Sequence, residues 1–237
     1  MNLQRLIAEG EHQQQDFKFE ITSACKIARS LSAFANTDGG RLLIGVKDNG
    51  VIAGVRSDEE MYMVEAAGEV WCNPPVHCRM TAYRVPVPQS AHETRTVVVA
   101  EIDPAMQRPV RARLEDGTYR AFVRIADENI VASSVQMELW RSEGNPDGTL
   151  LPLTDEELAL LRLLPNQEKT TSQQVNESTS HSSHSSFLIP DSSISFNSFC
   201  RRARIPRHRA VRLLAAFIRF GLARETFVGH TFVYSAL

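Results

Sequence analysis

The 237-residue sequence predicts a mixed α+β protein in two modules, an α/β domain over residues 1–145 and a small helical domain closed by a hairpin over 150–237. Three observations lead there. Helical and strand periodicities alternate through the first 145 residues, as in a chain that packs helices on sheets. A Gln/Ser/Thr/Asn/His-rich run at about 166–190 interrupts the chain with too little apolar surface to offset its ordering entropy, so it predicts a disordered insertion. Charge is segregated, because residues 194–237 hold eight basic and one acidic side chain while the whole chain is at −2. A concentrated basic tail on an acidic body is the footprint of a folded nucleic-acid-binding module.

In the first module, Ala24, Ile27, Ala28, Leu31, Phe34 and Ala35 recur at helical steps, predicting a helix over 19–37 that Gly39-Gly40 stop. Leu42-Leu43-Ile44-Gly45-Val46, Asp48-Asn49-Gly50 and Val51-Ile52-Ala53-Gly54-Val55 read as two strands joined by a tight hairpin, since Asn-Gly tolerates positive φ. Ser57-Asp58-Glu59-Glu60 is a capping box that opens a helix to about Trp71, ended by Asn73-Pro74-Pro75. Strands follow near 78–87, 95–102 and 118–126, then a helix from the capping box Ser133-Ser134-Val135-Gln136 to about Ser142. Asn145-Pro146-Asp147-Gly148 is the expected domain edge.

The second module opens with a helix capped at Thr154-Asp155-Glu156-Glu157 and running through Leu164. After the insertion come a helix from about 195 to 204, a turn at Ile205-Pro206, a helix over 207–220 and two short strands around Gly229-His230. Helix, short turn, longer basic helix and terminal hairpin match a winged helix-turn-helix plan. On the last helix Ala210, Leu213, Leu214, Phe217, Ile218 and Phe220 share one face, and His208, Arg209, Arg212, Ala215, Ala216 and Arg219 the opposite one. Arginines on such a face can reach phosphates and base edges. Arg201, Arg202 and Arg204 suit the negative end of their own helix dipole. Arg207, His208 and Arg209 sit at the positive end of theirs, so a bound anionic backbone is their expected compensation.

Glu11-x4-Asp16-Phe17-Lys18, then Ala33-Phe34-Ala35-Asn36-Thr37-Asp38-Gly39-Gly40, then Ile44-Gly45-Val46-x-Asp48-x-Gly50-x-x-x-Gly54 resemble the Schlafen-type Alba-like domain of bacterial DNA-binding proteins. Phe122-Val123-Arg124 and the Ala132-Ser133 helix start extend the resemblance to roughly residues 5–142. The resemblance implies an Alba-like α/β domain, often with a helix-turn-helix module behind it, and a nucleic-acid partner that Lys18 would also meet. In Schlafen ribonucleases the positions matching Glu11, Asp16 and Asp48 form an acidic cluster that cleaves RNA with a divalent metal. The resemblance therefore implies Mg²⁺ or Mn²⁺ on these three carboxylates as the nuclease alternative. Asp16 stands one methylene shorter than the usual Glu. The plainer reading gives Asp48 to the hairpin turn, Glu11 to solvent and Asp16 to a pairing with Lys18 or a neighbour.

Other chemistries are excluded or bland. Gly40 to Asp48 lacks the Gly-Lys-Ser/Thr that must follow the second glycine of a phosphate loop, so ATP hydrolysis is disfavoured. Cys25, Cys72, Cys78 and Cys200 form no CxxC pair and predict a reducing cytoplasm without a thiolate metal site. Cys72, His77 and Cys78 lack a fourth ligand, and His181 and His184 belong to the Ser-rich insertion. No apolar run approaches the length of a membrane span, and the start is not that of a signal peptide. The expectation is a cytoplasmic DNA-binding protein and transcriptional regulator with no cofactor, whose partners are DNA, RNA as second candidate, and a second copy of itself.

Overall fold

The computed structural model describes residues 2–55, 59–86, 93–143, 153–166 and 192–237, which fall into two compact units, Met1–Ala132 and Ser133–Leu237. Seven helices and eleven strands lie among the described residues, so the chain is mixed α/β as expected.

In chain order the first unit comprises α1 (Leu3–Glu9), β1 (Gln15–Lys18), α2 (Ala24–Asn36), β2 (Gly40–Ile44), α3 (Glu59–Val70), β3 (Cys72–Asn73), β4 (Cys78–Pro86), β5 (Thr94–Ile102), β6 (Arg111–Arg113), β7 (Tyr119–Ile125) and β8 (Glu128–Val131). One sheet runs β1-β2-β5-β4, with β1 parallel to β2 and the other pairs antiparallel. The second runs β3-β6-β7-β8, antiparallel throughout. The central strand β5 is apolar at consecutive positions because both its faces are covered. Val97 and Val99 pack with Leu3, Leu6, Phe17 and Leu43, whereas Val98, Ala100 and Ile102 pack with Ile27, Leu31, Phe34 and Ile44.

Helix α2 is the spine of this unit: ten of its thirteen residues are buried, so it must satisfy its polar side chains internally. Asn36 does so across the second sheet. Its Nδ2 donates to the carbonyls of Val110 (2.8 Å) and Phe122 (2.9 Å), and its Oδ1 accepts from Val110 N–H at 2.8 Å. Ser32 Oγ donates to Val110 O at 2.9 Å and accepts from Phe122 N–H at 3.1 Å. The helix stops where anticipated. Gly39 has φ +70°, and a Cβ on Gly40 would stand 2.4 Å from the Phe34 ring, so nothing larger fits between helix and β2.

Three expectations need correction. The first helix begins at Ala24, not near 19, because Gln15–Lys18 is a strand that the pattern did not announce, and α1 precedes it. The hairpin after β2 reduces to one bridge, Val46 to Ile52, around the turn closed by Gly50 N–H on Lys47 O (2.7 Å). Residues 51–55 are not a strand: Ala53 and Gly54 N–H both donate to Gly45 O, and β5 takes the edge of β2 instead. Ser57 and Asp58 of the predicted capping box lie outside the described residues.

The second unit holds α4 (Ser134–Glu143), α5 (Asp155–Leu161), β9 (Ile194–Ser195), α6 (Phe196–Ala203), α7 (Arg207–Arg219), β10 (Ala223–Val228) and β11 (Thr231–Ala236). Its sheet has the antiparallel order β10-β11-β9. Val135, Leu164, Ile194, Phe199, Leu213, Leu214, Phe217 and Tyr234 form one core. Both halves of the Thr154–Glu157 capping box are made. The helix ends at Leu161 rather than Leu164, tightening into i→i+3 bonds before Pro165. Helix α4 packs on α7, so the units divide before it, earlier than the Asn145–Gly148 edge read from the sequence. That edge and the predicted insertion from 167 onward lie outside the described residues.

Candidate nucleic-acid interface

Within the first unit, β1 carries Asp16 and Lys18 beside β2, and the turn before β1 carries Glu11. Glu11 Oε1 accepts from Phe17 N–H at 2.8 Å, and its carboxyl shares a hydrogen bond with Asp16. Burial and that shared bond push Glu11 up from the ordinary carboxylate value. Burial works the same way on Asp16, but the Glu11 hydrogen bond, Lys18 and Arg124 outweigh it and hold Asp16 below the ordinary value.

Both oxygens of Asp16 are engaged. Oδ2 meets Lys18 Nζ at 2.7 Å and accepts from Ser30 Oγ at 3.2 Å, and Oδ1 faces Arg124 Nη2 at 3.6 Å. Lys18 therefore turns inward; its Nζ also donates to Phe17 O at 2.9 Å. Asp48 is exposed in the turn after β2, and no group of three His, Cys, Asp or Glu side chains among the described residues is placed to hold a metal. The arrangement pairs Glu11 with Asp16 and leaves Asp48 apart, so it does not fit the divalent ion that the resemblance implies. Cys72 and Cys78, pushed up to about 12 by burial above all, are packed thiols.

In the second unit the basic residues of α7 present the exposed side chains Arg207, His208, Arg209, Arg212 and Arg219. The core side of the helix is wider than the wheel indicated: Ala215 is buried with Leu214, whereas Phe220 is half exposed. The expectation that the first turn lacks internal compensation is also amended. Arg207 Nη1 donates to Asn197 Oδ1 at 2.6 Å, and its guanidinium lies 4.9 Å from the Phe196 ring centroid. Arg209 Nη2 lies 3.6 Å from Glu157 Oε1. Arg219 Nη1 donates to Ser142 O at 3.2 Å, and Arg212 is close enough to Glu138 to lower its carboxyl, behind the larger effect of Arg141.

These contacts are solvent-exposed and individually weak, so a phosphate can replace them at small cost. His208 has no partner among the described residues, nor do Arg202 and Arg204, which the dipole argument had set aside as structural. Arg204 takes φ 53° in the turn between α6 and α7 and is exposed. A positive φ at a non-glycine was the missing signal, and the sequence does not carry it.

No helix of the described residues is long and apolar enough to cross a membrane. No curated protein matches the chain. Among solved structures, the DIP2311 protein of Corynebacterium diphtheriae is similar over 64% of this chain and 29% of its own length, at 18% identity and a TM-score of 0.40. The chain thus spans less than a third of that protein. The model of the Schlafen, AlbA_2 family, a family associated with nucleic-acid binding, matches residues 11–133, more than half of the sequence. It takes in Glu11, the α2 motif with Asn36, the glycines around β2 and the buried Arg124, and the chain belongs to that family.

Proposed function

We propose that this protein is a DNA-binding transcriptional regulator whose second unit is a winged helix-turn-helix. The observation that carries the reading is the order α5, β9, α6, α7, β10, β11 with β9 paired to β11. It is the order of a winged helix, in which α7 would enter the major groove and the Gly229-His230 turn would form the wing. Supporting it, the side of α7 away from the core bears only basic groups at Arg207, His208, Arg209, Arg212 and Arg219, and Arg202 and Arg204 flank its start. The exposed arginines would contact phosphates and base edges, and the small Ala216 among them would let the helix approach closely.

The carboxylates of the first unit add no hydrolytic step to this reading. Asp16 is neutralised by Lys18 and Arg124, and Asp48 stands alone in its turn. One gel series tests both ideas: the protein is incubated with labelled duplex DNA and with RNA, with and without Mn²⁺. Retarded duplex without shortened product is the expected result. Absence of any duplex binding at low salt overturns the regulator reading, and Mn²⁺-dependent shortening restores the nuclease.

A further inference from the structure

We infer that the first unit carries its own platform for single-stranded nucleic acid, on the outer face of the sheet β3-β6-β7-β8 and independent of α7. The two β6 arginines point away from the core, since Ala112 between them is fully buried against α2. Arg113 is paired directly with Tyr119 of β7, so their side chains leave the same face as neighbours. On its other side Arg113 N–H donates to Trp71 O at 2.7 Å, and its guanidinium lies 5.7 Å from the Trp71 ring centroid. Trp71, Arg113 and Tyr119 therefore form a row of aromatic, cation and aromatic across three adjacent chain segments, with Arg111 beside it.

The row reaches solvent, and beyond the contact of Arg113 with Trp71 its cations have no carboxylate partner among the described residues. Tyr119 is 46% exposed, Arg113 is exposed and Trp71 half-buried. Neither Arg111 nor Arg113 has a carboxylate partner among the described residues, although acidic residues outnumber basic ones in this unit. Asp116, in the nearby turn, is occupied by Thr118 N–H and Oγ. The exposed Tyr119 ring offers a stacking surface, and arginines without a carboxylate partner beside it offer a site for an anion. An unpaired nucleotide fills both, the base stacking on the ring and the phosphate meeting the guanidinium. A duplex does not, because its bases are stacked on one another. The charge excludes a basic partner, and the alternation of ring and cation fits a strand with one base and one phosphate per step.

Anisotropy titration of the full chain tests this with labelled oligo-dT, oligo-U and a duplex, each of about twenty nucleotides. Arg113→Ala and Tyr119→Ala should each weaken strand binding about tenfold and leave duplex binding unchanged, while Tyr119→Phe, which keeps the ring, stays within about twofold of wild type. The tighter of the two oligonucleotides names the source of the strand. If both alanine variants, folded by circular dichroism, bind the strands as wild type does, or if Tyr119→Phe loses as much as Tyr119→Ala, the platform is overturned. Strand binding lost only on Arg209→Ala/Arg212→Ala overturns it too, while leaving the α7 reading intact. Strand binding that depends on Arg113 in a protein that ignores duplex DNA sustains the platform and rejects the α7 reading.

Discussion

Asp16 and Arg124 face each other at 3.6 Å inside the first unit, each almost fully buried, and close a ring of polar contacts. Arg124 Nη1 donates to Asn129 Oδ1 at 3.0 Å, Asn129 Nδ2 to Ser30 Oγ at 2.9 Å, and Ser30 Oγ to Asp16 Oδ2. Arg124 also donates to the carbonyls of His12 and Gln15 and lies over the Phe34 ring at 5.2 Å. The ring joins β1, α2, β7 and β8. A carboxylate placed this way is neutralised by its two cations and helps hold the fold in register.

Removal of Arg124 leaves Lys18 as the only cation at Asp16 among the described residues and takes one donor each from the His12 and Gln15 carbonyls, which keep each other's N–H. Arg124→Ala should cost about 3–5 kcal/mol, read as a lower urea midpoint. Asp48→Asn, at an exposed turn, should leave the midpoint unchanged.

The two coupled carboxyls give opposite pH dependences. Asp16, lowered in the fold, contributes stability that is present above the unfolded value near 3.9 and is lost as pH falls through its folded value. Glu11, raised in the fold, contributes stability below the unfolded value of about 4.3 that is lost as pH rises through its folded value. Urea midpoints followed from about pH 3 to 8 should show Asp16→Asn removing the acid limb. Glu11→Gln should flatten the mildly acidic one. Identical profiles for the two variants would disprove the assignment.

The sequence was read most accurately where burial follows a period. Residues 94–102 and 207–219 are such cases, since a doubly covered strand and a one-faced helix leave plain apolar patterns. Gln15–Lys18 hid because its buried residues include the polar Gln15 and Asp16, which break the apolar pattern and are satisfied by side chains and backbone of other segments. Gln15 Nε2 donates to Leu6 O and Gly10 O, and its Oε1 accepts from Arg41 Nε. Val51–Val55 misled for the opposite reason: its local turn chemistry was correct, but β5 offered β2 a longer apolar partner. At the site, the motif Asn36-Thr37 was recognised without its role. Asn36 and Thr37 clip α2 to the β7 backbone, with Thr37 Oγ1 accepting from Arg124 N–H at 3.1 Å.

That role predicts a large effect at Asn36. Asn36→Ala leaves the Val110 N–H and the Phe122 carbonyl without this partner in the interior, while the Val110 carbonyl keeps Ser32 Oγ. At about 1–3 kcal/mol for each buried group left unsatisfied, the total is several kcal/mol. The variant should be insoluble, or its amides in β6 and β7 should exchange hydrogen far faster than those in β2 and β5. Uniform protection across both sheets would show that the clip is dispensable.

In the second unit, Glu225 is half-buried on β10 and accepts from Ser133 Oγ at 2.6 Å and from Tyr234 OH at 2.7 Å, with no ion pair among the described residues. Burial pushes its carboxyl up, against the pull of the two hydroxyls. Stability from this group is complete below the unfolded value near 4.3 and is lost as pH rises through the raised folded value. Glu225→Gln keeps an acceptor for both hydroxyls without the buried charge. Its Tm should exceed that of wild type at pH 8 and match it in acid; a lower Tm at both pH values would mean that the ionised form is required.

The α7 arginines separate binding from stability. Arg209 and Arg212 are exposed and each interact with one half-buried carboxylate, Glu157 and Glu138 respectively, contacts of about 0.2–1 kcal/mol. Replacing Arg209 also relieves a cation at the positive end of the helix dipole, an opposing effect of about 0.3–1 kcal/mol. The double substitution Arg209→Ala/Arg212→Ala should therefore leave Tm nearly unchanged, because the two effects cancel. If the arginines meet phosphates, the slope of log K against log salt should fall by about one unit for each lost contact. Affinity should drop equally for all duplex sequences if both contacts go to the backbone, and selectively if either reaches a base edge. Unchanged affinity and slope, with the fold intact, would show that α7 is not the reading helix.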